Sequence, residues 1–482
     1  MRVNCRENTS PHFELLSKTQ IEDLHIASLE VLERTGVKIL SSNARGLLKK
    51  AGAITDDTSD IVKIPSRLVD RALSSAIHYI TLANRSGEPF LKVGGYYSYF
   101  GTGSDTPYVL DGATGQKRKA VKEDVARASR LCDGLANIDF VMSMGLVSDV
   151  PTNASFLHEF EAMLLNTKKP ILFCSRDRKD LAKAVEIAAL VSGSLGRLQE
   201  NPFIVHYAEP ISPLTHHKDP LDQLEYCAEN FIPIIYTPGL AAGAAGPVTL
   251  AGAVVIANCE NLAGLVIHQL INPGAPFIYG GTVTRLDMSD GAYTHGTPEH
   301  FVGSCARAAL GHYYHLPIFG VAGRTDSKSL DAQAGIEASI SILMEALSGA
   351  NLVHDMGYMA TGQITSDDMI VMCDEIIALV KRLLQGFEVS PETLAVDVIN
   401  QVGPGGCFLD HDHTFKHFRK EFLLLKCMDR KSLATWDREG GAGFTAKVRS
   451  RVEKILVEHK PEPLDKSLCE RINKMVLAAE TD

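Results

Sequence analysis

The stretch FGVAGRTDSKSLDAQAG, from Phe319 to Gly335, places Arg324, Asp326, Ser327, Lys328, Asp331 and Gln333 behind a short apolar run. The apolar run has the composition of a buried strand, and the last residues open a helical pattern. A guanidinium and carboxylates at such a strand end can hold the polar tail of a ligand, or simply pair with one another. A second set of side chains recurs in comparable places. Tyr97, Phe100, Tyr236, Tyr279 and Tyr358 stand in or just after apolar runs, with His206, His354 and Met356 among them. Aromatic faces gathered around one point attract a cation, and a quaternary ammonium suits them because it has no N–H to satisfy. Tyrosine is also a common strand residue, and alternation turns half of any strand toward its helices.

Other chemistries have weaker support. DHDHTFKHF offers Asp410, His411, Asp412, His413 and His417, and THHKD offers His216 and His217, all possible metal ligands. A polar loop with several histidines is more often simply exposed. No G-x-S-x-G motif is present, and neither Cys174 nor Cys305 has a partner at a recognisable spacing. The loop TPGLAAGAAGPVT contains Gly239, Gly243, Ala244 and Gly246. Its backbone N–H groups could cradle phosphate, and its missing side chains would let a broad, flat cofactor or another protein come close.

Something must carry these residues to one place. Eight apolar runs recur with helical patterns between them: YYSYFGTG from Tyr96, DFVMSMGLV from Asp139, PILFCSR from Pro170 and PFIVHYAE from Pro202; then IPIIYTPG from Ile232, APFIYGGT from Ala275, LPIFGVAG from Leu316 and NLVHDMGY from Asn351. Strands alternating with helices imply parallel pairing, because each crossover needs a dozen or more residues. Eight such units predict an α/β fold, a TIM (β/α)8 barrel whose working site lies at the carboxyl ends of the strands. The expected division is an N-terminal helical and short-strand segment over 1–95, the barrel over 96–386 and a helical extension over 387–482. Ser17-x-x-Gln20 reads as the capping box of the first helix.

Composition narrows the class. The chain has 482 residues, 45% hydrophobic and 22% charged, enough for a large core. A net charge of −10 argues against nucleic acid, whose partners usually present a basic face. GLAAGAAGPVTLAGAVVIAN is uncharged and long enough to span a membrane, yet a Gly-rich loop feeding a buried helix fits it better. Ten scattered cysteines without a C-x-x-C pair predict reduced thiols in a cytoplasmic protein.

GRTDSKSLDAQAGIEA, GANLVHDMGYM and GPGGCFLDHDHT together resemble the trimethylamine methyltransferase family. The resemblance implies a TIM barrel in a homo-oligomer that moves a methyl group to the cobalt of a separate corrinoid protein. Members acting on trimethylamine carry pyrrolysine, whose place falls near the Phe319–Gly335 stretch. This chain has standard residues there, with Ser327 in the middle, and so resembles the pyrrolysine-free branch, whose members act on quaternary amines such as glycine betaine. A betaine would engage both kinds of strand-end residue. The expected substrate-binding set is Tyr97, Phe100, His206, Tyr236, Tyr279, Arg324, Asp326, Gln333, His354, Met356 and Tyr358. The expected corrinoid approach is over Gly239, Gly243, Ala244 and Gly246, with no intrinsic metal. Two alternatives remain: a metal-dependent barrel hydrolase or lyase, and a betaine-binding protein without catalysis.

Overall fold

A computed structural model describes residues 11–56, 58–112 and 114–481, and shows a mixed α/β fold. Each of the eight apolar runs contains a segment in parallel pairing. Leu352–His354 lies between Tyr99–Phe100 and Phe319–Val321, with Leu352 opposite Tyr99 and Phe319 opposite Leu352. Ile171–Phe173, Ile204–Ala208, Ile234–Tyr236 and Phe277–Tyr279 form a second parallel sheet in that spatial order. Single parallel bridges join the rest: Gly101 to Phe140, Val141 to Ile171, and Tyr279 to Ile318. Helices follow the segments, as crossover connections between parallel neighbours require.

Two separate cores result from the pleat. Val205, Ile235, Ile278, Phe319 and Leu352 pack with Tyr99, Phe140, Met142 and Leu172 on one face of the strands. Ile204, Ile234, Phe277 and Val353 face the helices in the larger core. Each such buried side chain contributes roughly 1.5–3 kcal/mol. The Ile80–Ala83 and Pro89–Val93 hairpin adds Ile80, Leu82, Leu91 and Val93 to the smaller core. Backbone bonds from Ala83 to Pro202 and from Arg85 to Lys168 set this hairpin beside the residues that precede two strands. It therefore covers the amino ends and leaves the carboxyl ends for a site.

The flanks obey local rules. Helix Lys18–Arg34 begins with the expected box, Ser17 N–H donating to Gln20 and Gln20 N–H to the Ser17 hydroxyl. The uncharged stretch forms a short strand, Gly239–Ala242, a turn, and the helix Leu250–Ile271. That helix is long and apolar enough to cross a membrane, but most of it is buried here against helices Lys18–Arg34, Ser66–Ser75 and Lys218–Asn230. Near the C-terminus, helix Phe444–Glu458 returns to helix Asp367–Gln385 through Arg451, which meets Asp374 at 3.0 Å and Glu375 at 2.9 Å. Both carboxylates are buried, so truncating the arginine strands two charges inside the protein. Arg451→Ala should lower unfolding free energy by about 3–5 kcal/mol, measured by denaturant titration; a change within experimental error would show that the pair carries no net weight.

Candidate active site

The strand pleat decides which residues meet at the carboxyl ends. On Ile204–Ala208, Val205 and Tyr207 belong to the inner core, whereas Ile204 and Ala208 belong to the helix-facing one, and His206 meets Phe173 of that core. Continuing that alternation brings Glu209 to the inner side, where Tyr207 OH donates to its carboxylate. Cys174 follows Leu172 inward on the neighbouring strand, and its Sγ lies 3.4 Å from Ser104 Oγ. Phe319 and His354 come from two further strands, with ring centroids 4.2 Å apart, and Tyr207 stands edge-on to Phe319 at 5.7 Å.

The charged centre is Arg324. Its Nη1 donates to Asp355 Oδ2 at 3.0 Å, and its Nη2 faces His300 Nε2 at 3.3 Å. His300 Nδ1 in turn lies 3.2 Å from the Val283 carbonyl, so the network assigns its proton to Nδ1 and leaves Nε2 to accept. Burial, reinforced by Arg324, pushes His300 well below its usual pKa and keeps it neutral. His354 contacts the Gly320 carbonyl at 2.8 Å through Nδ1 and Asp355 Oδ1 at 3.2 Å through Nε2. Burial lowers its pKa, opposed by Asp355. Asp355 reaches both partners from a left-handed backbone, φ +80°, which costs on the order of 1–3 kcal/mol for a non-glycine residue. Asp105 and Met144, at two other strand ends, share this conformation with φ +66° and +65°. Gly103 is required between these groups, because a Cβ there would lie 2.2 Å from Asp355 Oδ1 and 2.5 Å from Tyr358 Cζ.

Acidic groups dominate what remains. Asp105 and Glu209 sit deep within surrounding protein, yet both side chains are exposed to solvent. They therefore line an open cleft. Burial raises the Asp105 pKa against bonds from Cys174 and Ser104. Glu209 is pushed up to about 7, chiefly by burial, with Tyr207 opposing and the charges of Asp105 and Asp355 reinforcing. Their exposure to solvent moderates both effects. Glu159, buried nearby, is raised well above the ordinary range by burial and by Asp105, although its Oε1 accepts from Val147 N–H. Tyr358 OH donates to the Ser104 carbonyl.

Of the expected residues, Arg324, His354 and Tyr358 share this site. Asp326 lies at its edge, where its carboxylate accepts from the backbone N–H groups of His295 and Gly296 at 2.8–3.0 Å. Gln333 is exposed on the first turn of its helix and donates to Glu337 at 2.8 Å, so it braces the loop rather than the cleft. Ser327 Oγ donates to Asp331, the N-cap of helix Ala332–Ser348, and is likewise structural.

The other expectations are corrected by strand parity and strand end. Phe100 belongs to the helix-facing core, under Lys381. His206 bonds Ser175 Oγ at 2.9 Å and meets Phe173 edge-on, also on the helix side. Tyr236 OH contacts His216 at 2.8 Å, and Tyr279 OH donates to Asn258 on helix Leu250–Ile271 at 2.9 Å. Met356 packs beneath Gly323. Tyr97 precedes the first strand, and its carbonyl accepts from Asn351, which precedes another. It sits at the opposite end. The rest of the working set is Asp105, Cys174, Tyr207, Glu209, His300 and Asp355. A usable signal existed for two of them: a carboxylate two residues after Tyr207 is costly to bury against helices, so Glu209 favours the inward parity of its strand. Helix-borne His300 gave none.

Gly239–Ala242 pairs with Thr282–Leu286 in a small separate sheet, and Gly239, Gly243 and Ala244 are exposed while Gly246 is partly covered. Among the described residues, no three His, Cys, Asp or Glu side chains converge as metal ligands.

The sequence profile of the trimethylamine methyltransferase family matches residues 2–480. The chain belongs to this family. It is 32% identical over 466 residues to a trimethylamine methyltransferase of Desulfitobacterium hafniense, covering 97% of this chain and 94% of that one. A glycine betaine methyltransferase from another strain of that species is 28% identical over 468 residues, with 97% of each chain covered. Among solved structures, the monomethylamine methyltransferase of Methanosarcina barkeri is similar over 91% of this chain and 92% of its own, with 13% identity and a TM-score of 0.49.

In this trimethylamine methyltransferase family member, a fixed cation held beside Glu209 should bind in a pH-dependent way. Affinity for tetramethylammonium should rise about tenfold from pH 6 to pH 8 as the carboxyl ionises, and Glu209→Gln should flatten the profile. Folding stability should move oppositely. A carboxyl with a raised folded pKa stabilises the protein below its unfolded pKa and loses that contribution as pH rises through about 7. Calorimetric titration at the two pH values decides; a flat parent profile removes Glu209 from the cation site.

Proposed function

We propose that the chain transfers a methyl group from a small quaternary ammonium compound, with glycine betaine the specific donor, to a corrinoid carried by a separate protein. The reading includes a (β/α)8 barrel built from the eight parallel segments, a cytoplasmic location and a homo-oligomeric assembly. The observation that carries it is the cleft wall, where Asp105 and Glu209 face open space beside the rings of Tyr207, Phe319 and His354.

Carboxylates and ring faces can replace the water around a cation that has no N–H to donate. A quaternary nitrogen is also activated for methyl loss. When the C–N bond breaks, its electron pair stays on nitrogen and the leaving group is a neutral tertiary amine. A neutral tertiary amine would instead have to leave as an amide anion unless it were first protonated. The corrinoid supplies a strongly nucleophilic cobalt as methyl acceptor. This chain's part is then to bind, orient and desolvate the donor.

Arg324 favours a donor with a carboxylate. Its Nη groups are occupied by Asp355 and His300, while its Nε–H is buried without a protein acceptor. A betaine carboxylate would supply one; choline and trimethylamine would not. The relatives named for trimethylamine and for glycine betaine leave both donors to be compared. For the acceptor, the loop at Gly243 fits a broad approach, since a Cβ there would meet only Val248 and Met288, at 3.8 and 3.9 Å.

Enzyme mixed with reduced cobalamin and glycine betaine should consume Co(I) absorbance and give dimethylglycine, whereas trimethylamine should react far more slowly. Fast demethylation of trimethylamine, or no dimethylglycine, would overturn the donor assignment. Arg324→Ala should weaken betaine binding by ~2–5 kcal/mol, with little loss for tetramethylammonium, which has no carboxylate. Ala244→Trp should slow transfer while preserving betaine affinity; unchanged turnover would move the acceptor elsewhere.

A further inference from the structure

Asp326 and His300 hold one structure from two sides. That structure is the small sheet of Gly239–Ala242, Thr282–Leu286 and Tyr293–Thr294, separate from the parallel sheets. Its central strand is Thr282–Leu286. Gly239 to Ala242 pair with Thr282 to Arg285 on one edge, and Thr294 and Tyr293 pair with Arg285 and Leu286 on the other. Across the second edge, Thr284 OH donates to the Thr294 carbonyl and Thr294 OH to the Arg285 carbonyl at 3.1 Å. Met288, at the tip of this hairpin, is 78% exposed. The hairpin is a flap with its own internal bonds.

The root of the flap is clamped beside Arg324. The Asp326 carboxylate accepts from His295 N–H and Gly296 N–H at 2.8–3.0 Å, bonds of the strong, charge-assisted kind. Glu337 holds the clamp in place, accepting from Asp326 N–H at 2.8 Å, from Gln333 at 2.8 Å and from Thr325 OH. A Cβ at Gly296 would collide with the Glu337 carboxyl, so strand end, loop and helix Ala332–Ser348 close on one point.

His300 makes the second tie. Its Nδ1–H donates to the Val283 carbonyl, in the central strand of the flap, and its Nε2 accepts from Arg324 Nη2. One neutral ring therefore spans from flap backbone to guanidinium. His295, held by Asp326, stands edge-on to the same ring with centroids 5.8 Å apart. Arg285 of the central strand pairs with Glu299, next to His300, at 3.2 Å.

We propose that Asp326 and His300 are positioning residues that couple donor binding to acceptor docking. The inference rests on the reading that Arg324 takes the donor carboxylate and that the Gly239–Ala242 edge meets the corrinoid. Arg324 is held by Asp355 and His300 at its Nη groups, and its Nε–H has no acceptor among the described residues. A carboxylate on Nε–H fixes the guanidinium at all three nitrogens and removes motion that His300 would pass to Val283. The flap is then ordered before the acceptor arrives, and the acceptor loses less entropy in docking. Linkage makes the effect reciprocal, so a docked acceptor tightens the donor by the same factor. A cation without a carboxylate fills the ring and acid side of the cleft and leaves the flap as it was.

Hydrogen exchange of the full-length protein reads this coupling without turnover. Saturating glycine betaine should slow exchange in peptides spanning 282–297 at least about fivefold, whereas saturating tetramethylammonium should leave them unchanged. Asp326→Asn keeps the side-chain shape but removes the charge, and His300→Phe removes both ring bonds. Each should abolish the protection by betaine. At saturating betaine, Asp326→Asn should also raise the half-saturating concentration of reduced cobalamin to the value the parent shows at scarce betaine, a shift that general loosening of the fold does not produce. An unprotected flap in the parent under saturating betaine, equal protection by tetramethylammonium, or protection that survives in both variants would overturn the coupling. Flap protection without any dimethylglycine on addition of reduced cobalamin would sink the methyl-transfer reading alone and uphold the tie between Arg324 and the flap.

Discussion

Charge placed at the end of buried parallel strands has to be neutralised by a neighbour, and here Arg324 and Asp355 neutralise each other across 3.0 Å. They belong to adjacent strand ends, so the pair also fixes how those two strands finish. Asp355 reaches its partner from a left-handed backbone, and Gly103 gives up a side chain to admit its carboxylate. His300 and His354 then take the remaining faces of the pair. Each neighbour is constrained by a charge that cannot be left alone.

That constraint explains the uneven chemistry of the cleft. Arg324 spends its charge on Asp355, so among the described residues no arginine or lysine hydrogen-bonds to Asp105 or Glu209. Their pKa values rise instead. A visiting cation would supply the missing counter-charge and draw the carboxyls toward ionisation. The site is thus electrostatically incomplete in the direction a methylated ammonium would complete. Beside it the Arg324 Nε–H is buried without an acceptor among the described residues.

The surface shows a parallel division of labour. Most of the chain buries its apolar residues in two cores separated by the strands, while residues 386–425 bury none. Within that stretch Lys420 pairs with Glu388 and Lys416 with Glu392, while Leu409, Phe415 and Leu424 stay exposed.

The sequence by itself determined the order of elements. Eight apolar runs, the Ser17 capping box and the uncharged run before Leu250–Ile271 were legible because strand and helix propensity are local properties. It also determined that Arg324, His354 and Tyr358 belong near strand ends, and its three motifs pointed to the family. What it left open was the side each strand residue faces. Side chains alternate with a period of two, so an error of one position exchanges His206 for Tyr207 and turns the site inside out. Tyr97 fell at the wrong end because pairing begins only at Tyr99. His300 and Glu159 come from helices, and only the packing of those helices against the strands brings them to the charged centre.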